Sequence, residues 1–71
     1  MMVREFFYEI DCEDEDPLIV SYDVHELAEH FDLDIYTTVG DGRILVTILN
    51  GTNGDAREML DELRKPYARV D

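Results

Sequence analysis

Residues 33–50, LDIYTTVGDGRILVTILN, place two strand-like segments on either side of a tight-turn signal. Residues 33–39 alternate in the manner of a strand with one buried face. Gly40-Asp41-Gly42 favours a hairpin, because Asp-Gly accepts the positive φ that two-residue turns require. The return strand, residues 43–50, is apolar on both faces, which indicates a central strand or a covered sheet. One face carries Ile44, Val46 and Ile48, and the other carries Leu45 and Leu49.

Two further strands are predicted upstream of this hairpin. Residues 3–12 alternate, and four consecutive acids at 13–16 followed by Pro17 predict a solvated loop after them. Residues 18–22, LIVSY, are short and β-branched, and they predict a hairpin partner for the first strand. The first strand is expected to bury Phe6, Tyr8, Ile10 and Cys12. Its outer face is expected to carry Val3, Glu5, Phe7, Glu9 and Asp11.

Two amphipathic helices complete the predicted fold. Asp23 and Glu26 have the spacing of a capping box, so the first helix is expected to begin at Asp23. Thr52 or Asn53 caps the second helix, and Pro66 ends it and leaves a short tail. Arg64 and Lys65 fall in its last turn, where they complement the helix dipole. The two apolar stripes are Val24, Leu27, Ala28 and Phe31, then Ala56, Met59, Leu60 and Leu63.

The predicted element order is ββαββα. It describes an α+β fold in which two helices pack on one antiparallel sheet, as a single domain over residues 1–71. A chain of this length buries only about 60% of the surface that its unfolded form exposes, so its stability is expected to be marginal.

Charge is the unusual property of this sequence. The formal net charge is −12. Residues 1–42 contain thirteen acidic residues and one basic residue, Arg4, whereas residues 43–71 contain five of each. Such a field repels nucleic acid and anionic membranes, and it accelerates association with basic surfaces. Direct binding of nucleic acid or membrane is therefore not expected.

No catalytic or metal-binding arrangement is recognisable. His25 and His30 lie at i and i+5, about 140° apart around a helix, and cannot share a metal ion as histidines at i and i+4 do. Cys12 is the single cysteine, which excludes an intrachain disulfide. The acids at 11–16 lack the glycine and the closing glutamate of a calcium loop. We therefore expect neither an enzyme nor a bound metal or cofactor.

The acidic half of the chain is the candidate binding site. Outward side chains on a strand are about 6.6–7 Å apart, close to the spacing of phosphates, so such carboxylates would suit a phosphate-binding groove. Concentrating charge in one region costs stability through self-repulsion, which favours a function for it. Phe7 and Tyr36 are candidate aromatic anchors, or else they pack beneath a helix. The expected partner-binding residues are Glu5, Phe7, Glu9, Asp11, Glu13, Asp14, Glu15, Asp16, Glu26, Glu29, Asp32, Asp34 and Tyr36.

In length, charge and α+β build the chain resembles the small acidic phage proteins that block host defence, including anti-CRISPR proteins and other DNA-mimic inhibitors. No sequence motif carries this resemblance. It implies that the acidic face occupies the basic cleft of a nucleic-acid-binding protein or ribonucleoprotein complex, in the host cytoplasm, and inhibits it.

Two alternatives stay open. The chain could be a small interaction subunit or antitoxin-like partner held by apolar contacts. It could also be a domain that is acidic because of adaptation to high salt. The ratio of one lysine to five arginines is consistent with salt adaptation. The confinement of the net charge to one half of the chain argues against it, because salt adaptation should acidify the whole surface. Residues 1–11 lack the long apolar stretch of a secretion signal, and a cytoplasmic location is expected.

Overall fold

The computed structural model describes residues 5–70 and contains six elements in the order βαββαβ. The expected α+β class, with two helices and an antiparallel sheet, is confirmed. Val3, expected on the outer face of the first strand, lies outside the described residues. The strands are β1 (Phe6–Asp11), β2 (Ile35–Val39), β3 (Arg43–Ile48) and β4 (Tyr67–Arg69), and the helices are α1 (Pro17–His30) and α2 (Asn53–Leu63).

Helix α1 includes the segment 18–22, so the prediction of a strand there is wrong. Asp16, rather than Asp23, is the N-cap, and its carboxylate accepts a hydrogen bond from the backbone N–H of Leu18 at 3.0 Å. Pro17 occupies the first turn, where its missing N–H costs nothing. Of the two β-branched residues that suggested a strand, Val20 lies on the buried helix face and is as fully buried as Val24, whereas Ile19 is exposed.

The four strands form one sheet in the order β2-β3-β1-β4, with every neighbouring pair antiparallel. Residues 67–69, expected to be a tail, pair with β1 as an edge strand. The backbone N–H of Asp11 donates to the carbonyl of Pro66 at 2.9 Å, and that of Val70 donates to the carbonyl of Phe7 at 2.8 Å. Each helix thus connects two strands that have a third between them, which is the arrangement of ferredoxin-like folds.

Helix α2 begins as expected and ends slightly earlier. Thr52 is its N-cap, and its hydroxyl accepts a hydrogen bond from the backbone N–H of Asp55 at 3.1 Å. Arg64 is the C-cap in the left-handed region, with φ 61°. Arg64 and Lys65 therefore follow the helix instead of lying in its last turn.

The core lies between the two helices and one face of the sheet. The expected buried face of β1 is confirmed, since Phe6, Tyr8, Ile10 and Cys12 are all buried. The hydroxyl of Tyr8 donates to the side-chain oxygen of Asn53, which gives this buried polar group a partner. From the other elements the core receives Val20, Val24, Ala28, Leu33, Ile44, Val46, Ile48, Ala56, Met59 and Leu60.

The opposite face of the sheet, which we call the open face, carries Phe7, Glu9, Tyr36, Leu45 and Thr47. The expected hairpin between β2 and β3 is present, and Gly42 takes φ 72° in its turn. Strand β3 is central, as its apolar pattern indicated. No element within residues 5–70 covers the open face, and Leu45 and Leu49 are 36% and 38% exposed there.

Candidate partner-binding surfaces

The acidic residues of β1 lie on the open face but not as an uninterrupted row of negative charge. Arg43 of β3 stands directly opposite Asp11 in the β1–β3 register. Its guanidinium Nη1 lies 3.5 Å from a carboxylate oxygen of Glu9. Both side chains of this pair are largely exposed, so the attraction is weak in free energy. The pair does alter the pattern of charge on the open face, because the Arg43 cation lies where a mimic of phosphates would need an anion.

The aromatic residues predicted as anchors lie on the same face. Tyr36 of β2 is 64% exposed, and Phe7 of β1 is half-buried. Thr47 of β3 stands between them, paired with Phe7 on one side and with Tyr36 on the other. Neither ring packs beneath a helix, so both remain available to a partner.

The loop at residues 13–16 is held by local and long-range contacts. The Nζ of Lys65 lies 2.6 Å from a carboxylate oxygen of Glu15 and 3.9 Å from one of Glu13. The backbone N–H of Glu13 donates to the carboxylate of Asp11 at 2.9 Å. Asp16 caps α1, which leaves Asp14 as the one acid of this loop with no hydrogen bond or ion pair to another described residue.

The remaining predicted acids lie on α1 and in the connection that follows it, the segment from α1 to β2. Glu26 and Glu29 are exposed on α1, and Asp32 and Asp34 are exposed in the connection to β2. Among residues 5–70 none of these four carboxylates is in an ion pair. From Cys12 to Gly42 the chain contains no lysine or arginine. The predicted residues therefore divide between the open face, the β1–α1 loop and the segment from α1 to β2, which contains no lysine or arginine of its own.

Sequence reasoning missed a set of exposed apolar side chains on α1. Leu18 is 59% exposed, Ile19 is 52% exposed and Tyr22 is 75% exposed. The strand predicted for this segment carried no expectation about which of its residues are exposed. As a helix, it buries Val20 and Val24 and turns the others outward. The Asp16-Pro17 pair, an N-cap followed by proline at the first helical position, was the signal that could have revealed it.

Two open cavities flank α2. One, of about 320 Å³, lies between the helices and is lined by acids and histidine, including Asp23, Glu26, His30 and Glu62. The other, of about 360 Å³, lies between α2 and β4 and includes Arg57 and Arg69 in its lining. The guanidinium of Arg69 also stands 5.2 Å from the ring centroid of Phe6, within cation–π range.

Three side chains among the described residues have a pKa displaced by their surroundings, namely Cys12, Lys65 and Tyr67. Burial raises the pKa of the Cys12 thiol, and nearby acids raise it further while Lys65 acts in the opposite direction. The phenol of Tyr67 donates to the carboxylate of Asp61 at 2.6 Å, and this hydrogen bond raises the pKa of Tyr67. A thiol held in its protonated form is a poor nucleophile.

His25 and His30 lie on different sides of α1. The Nε2 of His25 lies 3.1 Å from the hydroxyl of Thr37 in β2, whereas His30 lines the cavity beside α2. Within residues 5–70, no three His, Cys, Asp or Glu side chains are grouped closely enough to hold a metal ion. In the same range no helix has the length and hydropathy needed to cross a bilayer.

Comparison with known proteins shows likeness of fold. No protein-family model matches the sequence, and no curated protein does. The ACT domain from the GTP pyrophosphokinase of Chlorobium tepidum superposes with a TM-score of 0.59 at 18% identity, over 97% of this chain and 100% of that one. The de novo designed protein Ferredog-Diesel superposes with a TM-score of 0.55 at 15% identity, over 100% of this chain and 88% of the design. At these identities the likeness establishes the fold alone.

Proposed function

We propose that this protein is a non-catalytic acidic binding protein that docks on the basic surface of a protein partner in the cytoplasm. We further propose that the partner is a nucleic-acid-binding protein or ribonucleoprotein complex, whose phosphate-binding cleft it occupies as a nucleic-acid mimic. The observation that carries the proposal is the absence of any lysine or arginine from Cys12 to Gly42, together with four exposed, unpaired carboxylates on and after α1.

The electrostatics of the segment from α1 to β2 suit recognition of a cation-lined cleft. Glu26 and Glu29 are held on a regular helix, and Leu33 fixes the connection after it by being buried in the core. Carboxylates on a rigid backbone can bind arginine and lysine without the additional cost of ordering a loop. A field of one sign also raises the association rate with an oppositely charged surface and makes it sensitive to salt.

The test is a pull-down from cell lysate on immobilised protein, with elution by rising salt and competition by duplex DNA. A mimic captures a nucleic-acid-binding protein that DNA displaces and moderate salt elutes. The double variant Glu29→Lys with Asp34→Lys should lose this capture. The control variant, Asp55→Lys with Glu58→Lys on α2, makes the same charge change away from α1 and should retain most of it. Equal loss in both variants would show that net charge, rather than this surface, governs capture.

The open face supports a second candidate function, that of a small subunit held by apolar contacts. Tyr36, Leu45, Leu49 and Val70 are 64%, 36%, 38% and 44% exposed, and large apolar side chains on an uncovered sheet face favour a protein partner. A captured protein that is indifferent to DNA and salt, and is lost on Tyr36→Ser with Leu45→Ser, would support this candidate and contradict mimicry.

A further inference from the structure

The two edges of the sheet differ in how they are protected against pairing with another strand. Strand β4 has three residues, follows Pro66 and includes Arg69, all features that discourage further pairing. Strand β2 has five residues, Ile-Tyr-Thr-Thr-Val, with no charged residue and no proline. Its register against β3 runs without a bulge from Ile35 to Val39. Natural proteins seldom leave such an edge unprotected, so β2 is the edge suited to accept a strand.

The hydrogen bonds of the hairpin show which backbone groups of β2 face outward. The N–H of Gly40 donates to the carbonyl of Arg43 at 2.8 Å, and the N–H of Leu49 donates to the carbonyl of Asp34 at 2.8 Å. Because antiparallel pairs alternate along a ladder, the even-numbered residues of this segment bond to β3. The N–H and C=O groups of Ile35, Thr37 and Val39 therefore point away from β3. Among residues 5–70 no strand pairs with that side.

Helix α1 borders this edge and holds it in place. The hydroxyl of Thr37 lies 3.0 Å from that of Ser21 and 3.1 Å from the Nε2 of His25. Leu18 and Tyr22 share the helix side of His25, because residues three, four and seven positions apart lie on one side of a helix. Tyr22 is 75% exposed and Val39 is 42% exposed. An added strand would thus find apolar side chains beside the edge as well as backbone groups along it.

Charge around the edge determines which strand fits. Asp34 directly precedes β2, Asp41 follows it, and Glu29 lies on α1 on the same side as His25. A second copy of this chain paired through its own β2 would bring these acids together between two molecules of net charge −12, which repulsion disfavours. A strand rich in lysine or arginine would be attracted to the same acids.

We propose that β2 accepts an extended, basic segment of a partner protein as an additional strand of the sheet. This inference rests on the proposed function, since it specifies how the basic partner is engaged. Backbone hydrogen bonds to Ile35, Thr37 and Val39 would supply affinity, as in other cases of strand addition. The acids at the two ends of β2 would select for positive charge.

The test uses a short acetylated and amidated peptide that alternates lysine with valine, titrated into ¹⁵N-labelled protein and followed by amide chemical shifts and hydrogen exchange. Two control peptides accompany it, one N-methylated at alternate residues on one edge and one with glutamate in place of lysine. We expect the first peptide to slow exchange at the amides of Ile35, Thr37 and Val39. Because each lost hydrogen bond weakens binding, N-methylation should reduce affinity about tenfold or more, and the glutamate peptide should not bind.

A matched pair of protein variants tests the same edge by changing β2 instead of the peptide. Val39→Pro removes an outward N–H without breaking a bond to β3, and proline is tolerated on edge strands. Val39→Thr keeps the backbone N–H and serves as the control. Only the proline variant should lose affinity for the peptide. If the proline variant does not fold, the N-methylated peptide still tests the wild-type protein.

The outcomes separate this inference from the proposed function. Equal affinity for the parent and N-methylated peptides, with no protection along β2, would overturn strand addition and leave charge-driven docking intact. Dimerisation with protection at β2 in the absence of peptide would also overturn it, in favour of a second copy. Loss of the salt-sensitive capture from lysate would instead contradict the proposed function itself.

Discussion

The ammonium of Lys65 lies 2.6 Å from a carboxylate oxygen of Glu15 and joins the end of α2 to the loop that precedes α1. The Lys65 side chain is only 12% exposed, and Glu13 provides a second carboxylate at 3.9 Å. Lys65 is the only lysine in the sequence. It therefore neutralises part of the densest run of acids in the chain and fixes the conformation of the loop that carries them.

Because of this contact, the free energy of unfolding is expected to decrease at alkaline pH. The hydrogen bond to Glu15 raises the pKa of Lys65 above its usual value. A group whose pKa is raised by folding stabilises the fold below its unfolded pKa, and that stabilisation is lost as pH rises through the folded pKa. We expect the urea midpoint to begin falling above about pH 8.5 through the raised pKa of Cys12, and to fall further above about pH 10 through Lys65 and the raised pKa of Tyr67.

Lys65→Gln should lower the urea midpoint at neutral pH and weaken its alkaline decline, because the ion pair is removed. Arg64→Gln is the matched control, since it removes the same charge from the neighbouring, exposed position. Its effect should be small. Identical midpoints and identical pH profiles for the two variants would contradict a structural role for Lys65.

Asp16→Ala should destabilise the protein by about 1 kcal/mol, because it removes the acceptor that caps α1. Asp23→Ala should be neutral or slightly stabilising, because Asp23 lies within the helix, where alanine has the higher propensity. Thermal or urea unfolding of both variants checks this. The reverse ranking would mean that the helix begins at Asp23, as the sequence pattern first indicated.

The difference between these two aspartates shows where sequence reasoning succeeded and failed on the fold. Strong local signals, such as the alternation of β1 and the Gly40–Gly42 turn, were confirmed. Residues 18–22 have strand-like composition, and their helical state depends on Asp16 and Pro17 and on packing against the sheet. Strand β4 has only three residues and forms by pairing with β1. This contact is non-local in sequence, so no local sequence pattern predicts it.

Gly51→Ala should destabilise the protein by roughly 1–3 kcal/mol. Gly51 has φ 92°, and an added Cβ would overlap the buried side chain of Leu33. Gly54→Ala is the control, because Gly54 lies in α2 and its added Cβ would meet Thr52 Oγ1 at an ordinary 3.7 Å. That variant should be stabilised by up to about 1 kcal/mol through helix propensity. Destabilisation by both substitutions to the same extent would remove the special role of Gly51.

The thiol of Cys12 should react slowly with a disulfide reagent at pH 8 and rapidly in urea. It is fully buried, and burial raises its pKa, so the thiolate is scarce as well as inaccessible. A Cys12→Ala protein with Thr38→Cys on the open face is the control and should react at once. Equal rates for the two folded proteins would show that Cys12 is reached through local opening of the loop beside it.

Placement of the acids could be predicted in part. Alternation on β1 identified the side chains that face away from the core. The cations that meet them could not be foreseen, because Arg43 approaches Glu9 from another strand and Lys65 approaches Glu15 from the far end of α2. The sequence therefore indicated one acidic surface, whereas the fold divides the acids between the open face, the β1–α1 loop and the segment from α1 to β2.

Salt dependence separates a binding function from salt adaptation. Self-repulsion in a protein of net charge −12 is screened as the Debye length falls from about 30 Å at 0.01 M to about 8 Å at 0.15 M salt. We expect a folded protein at low salt whose melting temperature rises over this range and then levels off. The Glu29→Lys, Asp34→Lys variant should show a smaller rise, because it is less negative. An unfolded protein at low salt, with stability still rising at molar salt, would favour adaptation, since screening alone is nearly complete by then.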